Sequence, residues 1–222
     1  MTVKVLLSFL AATLVSGGNF IVEASQPKRP TTAATKTPVS SKKTTVAPAK
    51  PPVSPKKPVA DQPVQPKWQL FTAPDGRFTV LMPGKPIRDI QTQKTYMGEI
   101  DLLIFSAQPP RQEVAYLVVY NDFPYSYAKM NDPQEILNNV RDMALKTTQS
   151  NLISQRNIRS SNGHPGKEFS YINAGGKITR TRIYLAEGRL YQVMAITTKK
   201  QQQTLAQTIT GFLNSFQIVL KN

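Results

Sequence analysis

After residue 67, apolar and polar residues alternate at the two-residue spacing of β-strands. A strand over 68–71, a Pro74-Asp75-Gly76 turn and a strand over 77–82 predict a first hairpin, because Asp-Gly between apolar runs favours a tight turn. The pattern then predicts strands at 87–96, 100–107 and 113–122. The first is rich in Gln and Thr, which predicts an edge or half-exposed strand. The other two are apolar on both faces, which predicts central strands covered on both sides.

The spacing changes to that of a helix after residue 131. Asp132 is predicted as the N-cap and Pro133 as the first helical residue, with Glu135 completing a variant capping box. One helical face is apolar: Ile136, Leu137, Val140, Met143 and Ala144. Four strands in hairpin succession are predicted at 152–160, 164–173, 177–186 and 189–197. Thr198 and Gln201 resemble a second capping box, ahead of a helix with the apolar stripe Leu205, Ile209, Phe212, Leu213 and Phe216.

This order of elements predicts an α+β fold. Short turns make the sheet mainly antiparallel, with about eight or nine strands, and the two helices are expected to cover its faces as a layered sandwich. Residues 68–222 are long enough for one domain with a proper core.

Residues 1–24 have the features of a signal peptide. Lys4 supplies the positive start, an apolar run covers 5–15, and Val22-Glu23-Ala24 is a small-residue cleavage site. The alternative is an uncleaved membrane anchor, for which the run is short and diluted by Ser16 and Gly17. The sequence therefore predicts export, to the periplasm, the thylakoid lumen or the exterior.

Residues 25–67 predict a disordered linker. They hold ten of the 18 Pro, nine Lys or Arg and one acid, Asp61, and they contain no aromatic residue. Burial could not offset the entropy of ordering such a chain, and like charges keep it extended. The linker is interpreted as a spacer, or as a spacer that also adheres to polyanions. Nucleic acid is not an expected partner, because export removes the protein from it.

Composition excludes several chemistries. The chain has a net charge of +15, no Cys and one His, so it has no disulfide, thiol nucleophile or zinc-thiolate site. His164 lies in an Asn-Gly-His-Pro turn and is expected to be a turn residue rather than part of a catalytic triad. No carboxylate spacing matches a calcium loop, and Gly175-Gly176 lacks the helix and lysine of a phosphate loop. The sequence predicts no catalytic residue, metal or cofactor, and hence no enzyme.

Two sets of residues are candidates for binding a partner. Phe123, Tyr125 and Tyr127 alternate before the first helix, where exposed rings could dock on a partner and buried rings would pack over the helix. Arg180 and Arg182 share one face of a predicted strand. They are interpreted either as an anion-binding stripe or as part of a solvated sheet face.

The domain resembles a known family. The segments that carry the likeness are Trp68-Gln-Leu-Phe, 74–84, 115–124 and Arg182-Ile-Tyr-Leu. They are similar to exported domains of unassigned function that are frequent in cyanobacteria, and the element order resembles the PsbP-like fold of extrinsic photosystem II proteins. The likeness covers roughly residues 68–216. It implies a non-catalytic accessory or binding module and transfers no functional residue.

Three functional hypotheses follow. The first is an exported, non-catalytic binding or accessory module, tethered by its basic proline-rich linker. Its expected partners are an envelope polymer, an anionic membrane surface or an exported protein complex. The second is an extrinsic accessory protein of a photosynthetic membrane complex. The third is a hydrolase of envelope polymer, which would need two convergent carboxylates in a cleft.

Overall fold

The computed structural model describes residues 66–95, 98–123 and 132–220. These residues contain three helices, α1 (Pro133–Thr147), α2 (Lys199–Gln202) and α3 (Ala206–Ser215). They also contain ten strands, β1 (Trp68–Thr72), β2 (Phe78–Pro83), β3 (Ile87–Thr95), β4 (Gly98–Ala107), β5 (Val114–Asp122), β6 (Ser150–Arg159), β7 (Pro165–Asn173), β8 (Lys177–Ala186), β9 (Arg189–Thr198) and β10 (Gln217–Ile218).

The strands form two antiparallel sheets. The large sheet has seven strands in the order β3-β4-β5-β9-β8-β7-β6, and the small sheet has three in the order β1-β2-β10. The predicted α+β class is therefore confirmed. The Gln- and Thr-rich strand β3 lies at an edge, and β4 and β5, which are apolar on both faces, lie inside the sheet, as their side-chain patterns indicate.

The large sheet has a hydrophobic core on each face, because several of its strands carry apolar side chains on both faces. On one face, the stripe of α1, except the half-buried Met143, packs in one cluster with Leu117, Phe169 and Ile183. On the other face, the small sheet and α3 pack on aromatic residues such as Phe105, Tyr116 and Tyr191. The described part of the chain thus has three layers. Helix α3 shares the second face of the large sheet with the small sheet, which the sequence pattern did not predict as a separate sheet.

The two helix starts differ from each other. Asp132 caps α1 as predicted, and its side chain accepts a hydrogen bond from the N–H of Gln134 at 2.6 Å. The second predicted capping box is wrong. Thr198 makes no capping hydrogen bond, and the side chain of Gln201 accepts from the N–H of Glu113 instead. The helix therefore begins as the single turn α2 and resumes as α3. Of the predicted apolar stripe, Ile209, Phe212, Leu213 and Phe216 are buried and Leu205 is half-buried.

An arginine fastens the first hairpin to the large sheet. Gly76 adopts φ 74 in the predicted Asp-Gly turn, a conformation that glycine tolerates. The buried Arg189 pairs with Asp75 in this turn and with Asp122 at 2.6 Å on the large sheet, and it lies 4.2 Å above the ring of Tyr120. These contacts join the first hairpin to the large sheet at one end.

Candidate functional site

Charged side chains cross strands β6, β7 and β8 on the face that carries α3. Sheet register places Arg156 opposite Glu168 and Glu168 opposite Arg182. Arg180 lies on the same face of β8, because residues two apart on a strand share a face. Arg156, Glu168, Arg180 and Arg182 are called the arginine cluster below.

One carboxylate holds all three guanidinium groups. Glu168 Oε1 accepts from Arg180 Nη2 at 2.9 Å, and Glu168 Oε2 accepts from Arg182 Nε at 2.6 Å and from Arg156 Nη2 at 3.1 Å. Hydrogen bonds between charged side chains, as here, are stronger than those between neutral groups. The pair of carboxylate oxygens is therefore fully engaged.

Helix α3 fixes two of the arginines from its own side. Arg180 Nη1 donates to Thr210 Oγ1 at 2.8 Å, and Arg182 Nη1 donates to the carbonyl oxygen of Leu213 at 3.1 Å. Leu213 lies in the last turn of α3, where backbone carbonyls carry partial negative charge. Both guanidinium planes are therefore held between the sheet and the helix.

Exposure differs among the members of the cluster and is highest for Arg156 on the edge strand β6. The side chain of Arg156 is 62% exposed, that of Arg180 is 30% exposed, and those of Arg182 and Glu168 are 12% and 10% exposed. Arg182 is thus an interior anchor, and the solvated-face interpretation does not describe it. Arg156 and Arg180 are the members that a ligand could reach.

The cluster carries an excess of positive charge. Burial opposes ionisation of Glu168, but hydrogen bonds from Arg180, Arg182 and Arg156 outweigh it and lower the pKa of Glu168 to about 2. Glu168 is therefore ionised at neutral pH and neutralises one of three guanidinium charges. Among the described residues, no other carboxylate forms an ion pair with these arginines.

This arrangement suits anion binding better than acid–base chemistry. A general base needs an accessible, proton-accepting lone pair, whereas the oxygens of Glu168 are occupied and its pKa is low. Planar guanidinium groups, in contrast, recognise carboxylate and phosphate oxygens in pairs. The surrounding strands and helix hold the groups in place, which reduces the entropy lost on binding.

Sequence alternation placed Arg180 and Arg182 on one face, but it missed Arg156 and Glu168. A signal for both was present in the hairpin turns. Residues equidistant from a turn lie opposite one another, and Arg156 and Glu168 are equidistant from Asn162, as Glu168 and Arg182 are from Gly175. The predicted turns therefore specified the register that builds the cluster.

The aromatic candidates do not form a site among the described residues. Phe123 is 7% exposed and belongs to the core beneath α1, and its N–H donates to the carbonyl oxygen of Gly188 at 2.7 Å. It is therefore a core ring rather than an exposed docking ring. Tyr125 and Tyr127 lie outside the described residues.

Three aspartates and the one histidine make structural contacts. Asp101 accepts from Thr92 Oγ1 at 2.6 Å, Asp122 pairs with Arg189, and Asp132 caps α1. His164 lies in a turn, where its N–H donates to Ser160 Oγ at 3.0 Å. Within 66–95, 98–123 and 132–220, no three His, Cys, Asp or Glu residues are grouped as metal ligands would be. The same segments contain no helix long and apolar enough to span a membrane.

Comparison with solved structures finds a match to the solution structure of cyanobacterial PsbP (CyanoP) from Synechocystis sp. PCC 6803. The TM-score is 0.51 at 11% sequence identity, and the match covers 69% of this chain and 94% of that chain. The fold is PsbP-like. A protein of unknown function, PA94 from Pseudomonas aeruginosa, matches with a TM-score of 0.37 at 11% identity over 70% of this chain and 98% of its own, which supports no inference. No family model and no curated protein matches the chain.

The PsbP-like fold explains the layers but not the arginine cluster. Identity of 11% shows a shared architecture alone, and functions differ widely within one architecture. The site must therefore be argued from its own residues.

Proposed function

We propose that this protein is an exported, non-catalytic binding or accessory module that recognises an anionic partner through the arginine cluster. The observation that carries the proposal is the charge imbalance around Glu168, where three guanidinium groups share one carboxylate. Arg156 and Arg180 present the uncompensated charge on a rigid sheet, close to the edge where a partner has access.

The predicted linker suits such a module. Its nine basic residues and single acid attract polyanions without specific geometry, and its proline-rich composition favours an extended tether. The arginine cluster would then add a fixed geometry to this diffuse attraction. The same partner could engage both, which raises its effective concentration at the site.

Binding of the full chain to polyglutamate-coated resin tests the proposal. An Arg156→Gln/Arg180→Gln variant should bind at least about tenfold more weakly, because it loses charge-assisted hydrogen bonds of about 1.5–3 kcal/mol each. Arg88→Gln, which changes an exposed arginine on β3, is the matched control and should bind like the wild type. Both variants keep the linker, so the binding that remains in the double variant measures the linker's contribution to affinity. Equal affinity of the double variant and the control would refute the proposal.

A narrower role at a photosynthetic membrane is the second candidate. The fold likeness to the Synechocystis protein favours it. Fractionation of the source cells discriminates the two: enrichment with photosynthetic membranes supports the narrower role, and enrichment with the cell envelope contradicts it.

A further inference from the structure

Among the described strands, β6 is the last of the large sheet at one edge. Within the described residues, β6 pairs with β7 alone, so the backbone groups along its other side meet no strand. Eight of its ten residues are exposed, including residues on both faces. An edge of this kind is a template on which an extended segment can form a further strand.

Part of this edge is regular. Pairing with β7 shifts register between Leu152 and Ser154, which marks a bulge. From Ser154 to Arg159 the ladder continues without interruption, opposite Ser170 to Pro165. Residues 154–159 therefore form an edge without a bulge, along which an added strand can keep register.

The positive charge of β6 favours an acidic strand as the occupant of this edge. β6 contains Arg156 and Arg159 and no acidic residue. A second copy of the chain would bring the same basic strand alongside, and facing like charges destabilise a ladder. An acidic segment would instead place a carboxylate beside Arg156, whose partner Glu168 is already shared with Arg180 and Arg182.

We infer that an extended acidic segment of another polypeptide adds to residues 154–159 as an eighth strand of the large sheet. Alternate side chains of the segment face the arginine cluster, and one of their carboxylates pairs with Arg156. The backbone ladder supplies affinity, and the carboxylate position supplies selectivity. The inference rests on the proposed function, because both use Arg156, and it specifies an acidic polypeptide rather than a polymer or membrane as the partner.

The test uses the full chain and a ten-residue peptide that alternates valine and glutamate. Two control peptides carry lysine in place of glutamate, or N-methyl groups on alternate amides that remove ladder donors. Affinity is measured by titration calorimetry, and amide hydrogen exchange is followed along β6. The Val-Glu peptide should bind at least tenfold more tightly than either control and slow exchange within 154–159. Arg156→Gln should weaken it at least fivefold, and Arg88→Gln should not.

Other results separate this inference from the proposed function. If polyglutamate or anionic lipid vesicles bind in an Arg156-dependent way but the peptide leaves β6 exchange unchanged, the strand-addition inference is overturned and the proposed function stands. Equal binding of the N-methylated peptide also overturns strand addition. If neither the peptide nor any of these anions depends on Arg156, both proposals fall.

Discussion

Glu168 accepts hydrogen bonds from three guanidinium groups and holds them within one patch of the sheet. At the scale of single residues, its neighbours divide into an interior anchor, Arg182, and two reachable groups, Arg156 and Arg180. Glu168 therefore has both a structural role and an electrostatic one. A substitution tests the first, and the pH dependence of stability tests the second.

Replacing Glu168 by Gln should destabilise the domain. It leaves Arg182 buried without its charged partner, and removing one partner of a buried ion pair costs about 3–5 kcal/mol. Because Arg156 and Arg180 can turn to solvent, we expect the lower end of that range in urea unfolding. Asp142→Asn is the control, since the Asp142 side chain is 58% exposed and pairs with Arg141. It should change the free energy of unfolding by about 0.5 kcal/mol or less. Equal small effects of both substitutions would contradict a buried network.

The stabilising effect of Glu168 should depend on pH in the acid range. The pKa of Glu168 is about 2 in the folded protein against an ordinary value of 4.5, so its contribution is fully present above pH 4.5. The contribution is lost as pH falls from 4.5 through about 2, because the unfolded chain binds a proton at this carboxyl in that range while the folded protein keeps it ionised. The free-energy difference between wild type and Glu168→Gln should therefore shrink over this window. A difference that stays constant from pH 7 to pH 2 would show that the carboxylate charge contributes nothing.

At the scale of elements, strands and turns were predictable because their signals are local. Asp75-Gly76 and Asn162-Gly163 specify tight turns, and side-chain alternation assigns faces. The strand β10 was missed because two residues are too few to show an alternating pattern. Gln201 was wrongly predicted as a capping residue, because its side chain accepts a hydrogen bond from the N–H of Glu113, which is distant in sequence. Such partners depend on tertiary packing, which local pattern does not encode. The arginine cluster was half predicted for a different reason: alternation assigns faces within one strand, whereas Arg156 and Glu168 follow only from the register that the hairpin turns set.

The contact between β7 and β8 is tight at Gly166. A Cβ atom there would lie 2.5 Å from a ring carbon of Tyr184 and 2.7 Å from the carbonyl oxygen of Ile183. Gly166→Ala should therefore cost about 1–3 kcal/mol in stability through overpacking. Gly211→Ala in α3 is the control, because a Cβ atom there meets nothing within 4 Å. It should stabilise the helix by about 0.5–1 kcal/mol. Thermal unfolding compares the two, and a neutral Gly166→Ala would show that the strands can separate at this point.

At the scale of the whole molecule, the folded domain and the linker are expected to act independently. Both core clusters of the large sheet draw their buried members from within 73–218. Trp68 packs at the boundary, with its ring 5.1 Å from that of Tyr116. We therefore expect the domain to fold without residues 25–67.

Deleting residues 25–67 should leave the domain's unfolding midpoint within about 2 °C of the wild type, equivalent to less than about 1 kcal/mol. The same deletion should remove the linker's weak, salt-sensitive share of adhesion to polyanions and leave the share that depends on Arg156 and Arg180, since charges in the linker are screened over about 8 Å at physiological ionic strength. Calorimetry and a salt series on polyglutamate resin check the two parts. A truncated protein that fails to fold would place the domain boundary before residue 68.

The most direct test of anion recognition by the arginine cluster follows the side chains themselves. Arginine Nε–H resonances of the full chain are recorded by NMR during titration with polyglutamate, and again at high salt. Resonances of Arg156 and Arg180 should shift together with one midpoint, while that of Arg88 stays in place and high salt weakens the response. Shifts confined to linker resonances, or equal shifts at Arg88 and Arg156, would contradict a site at the cluster.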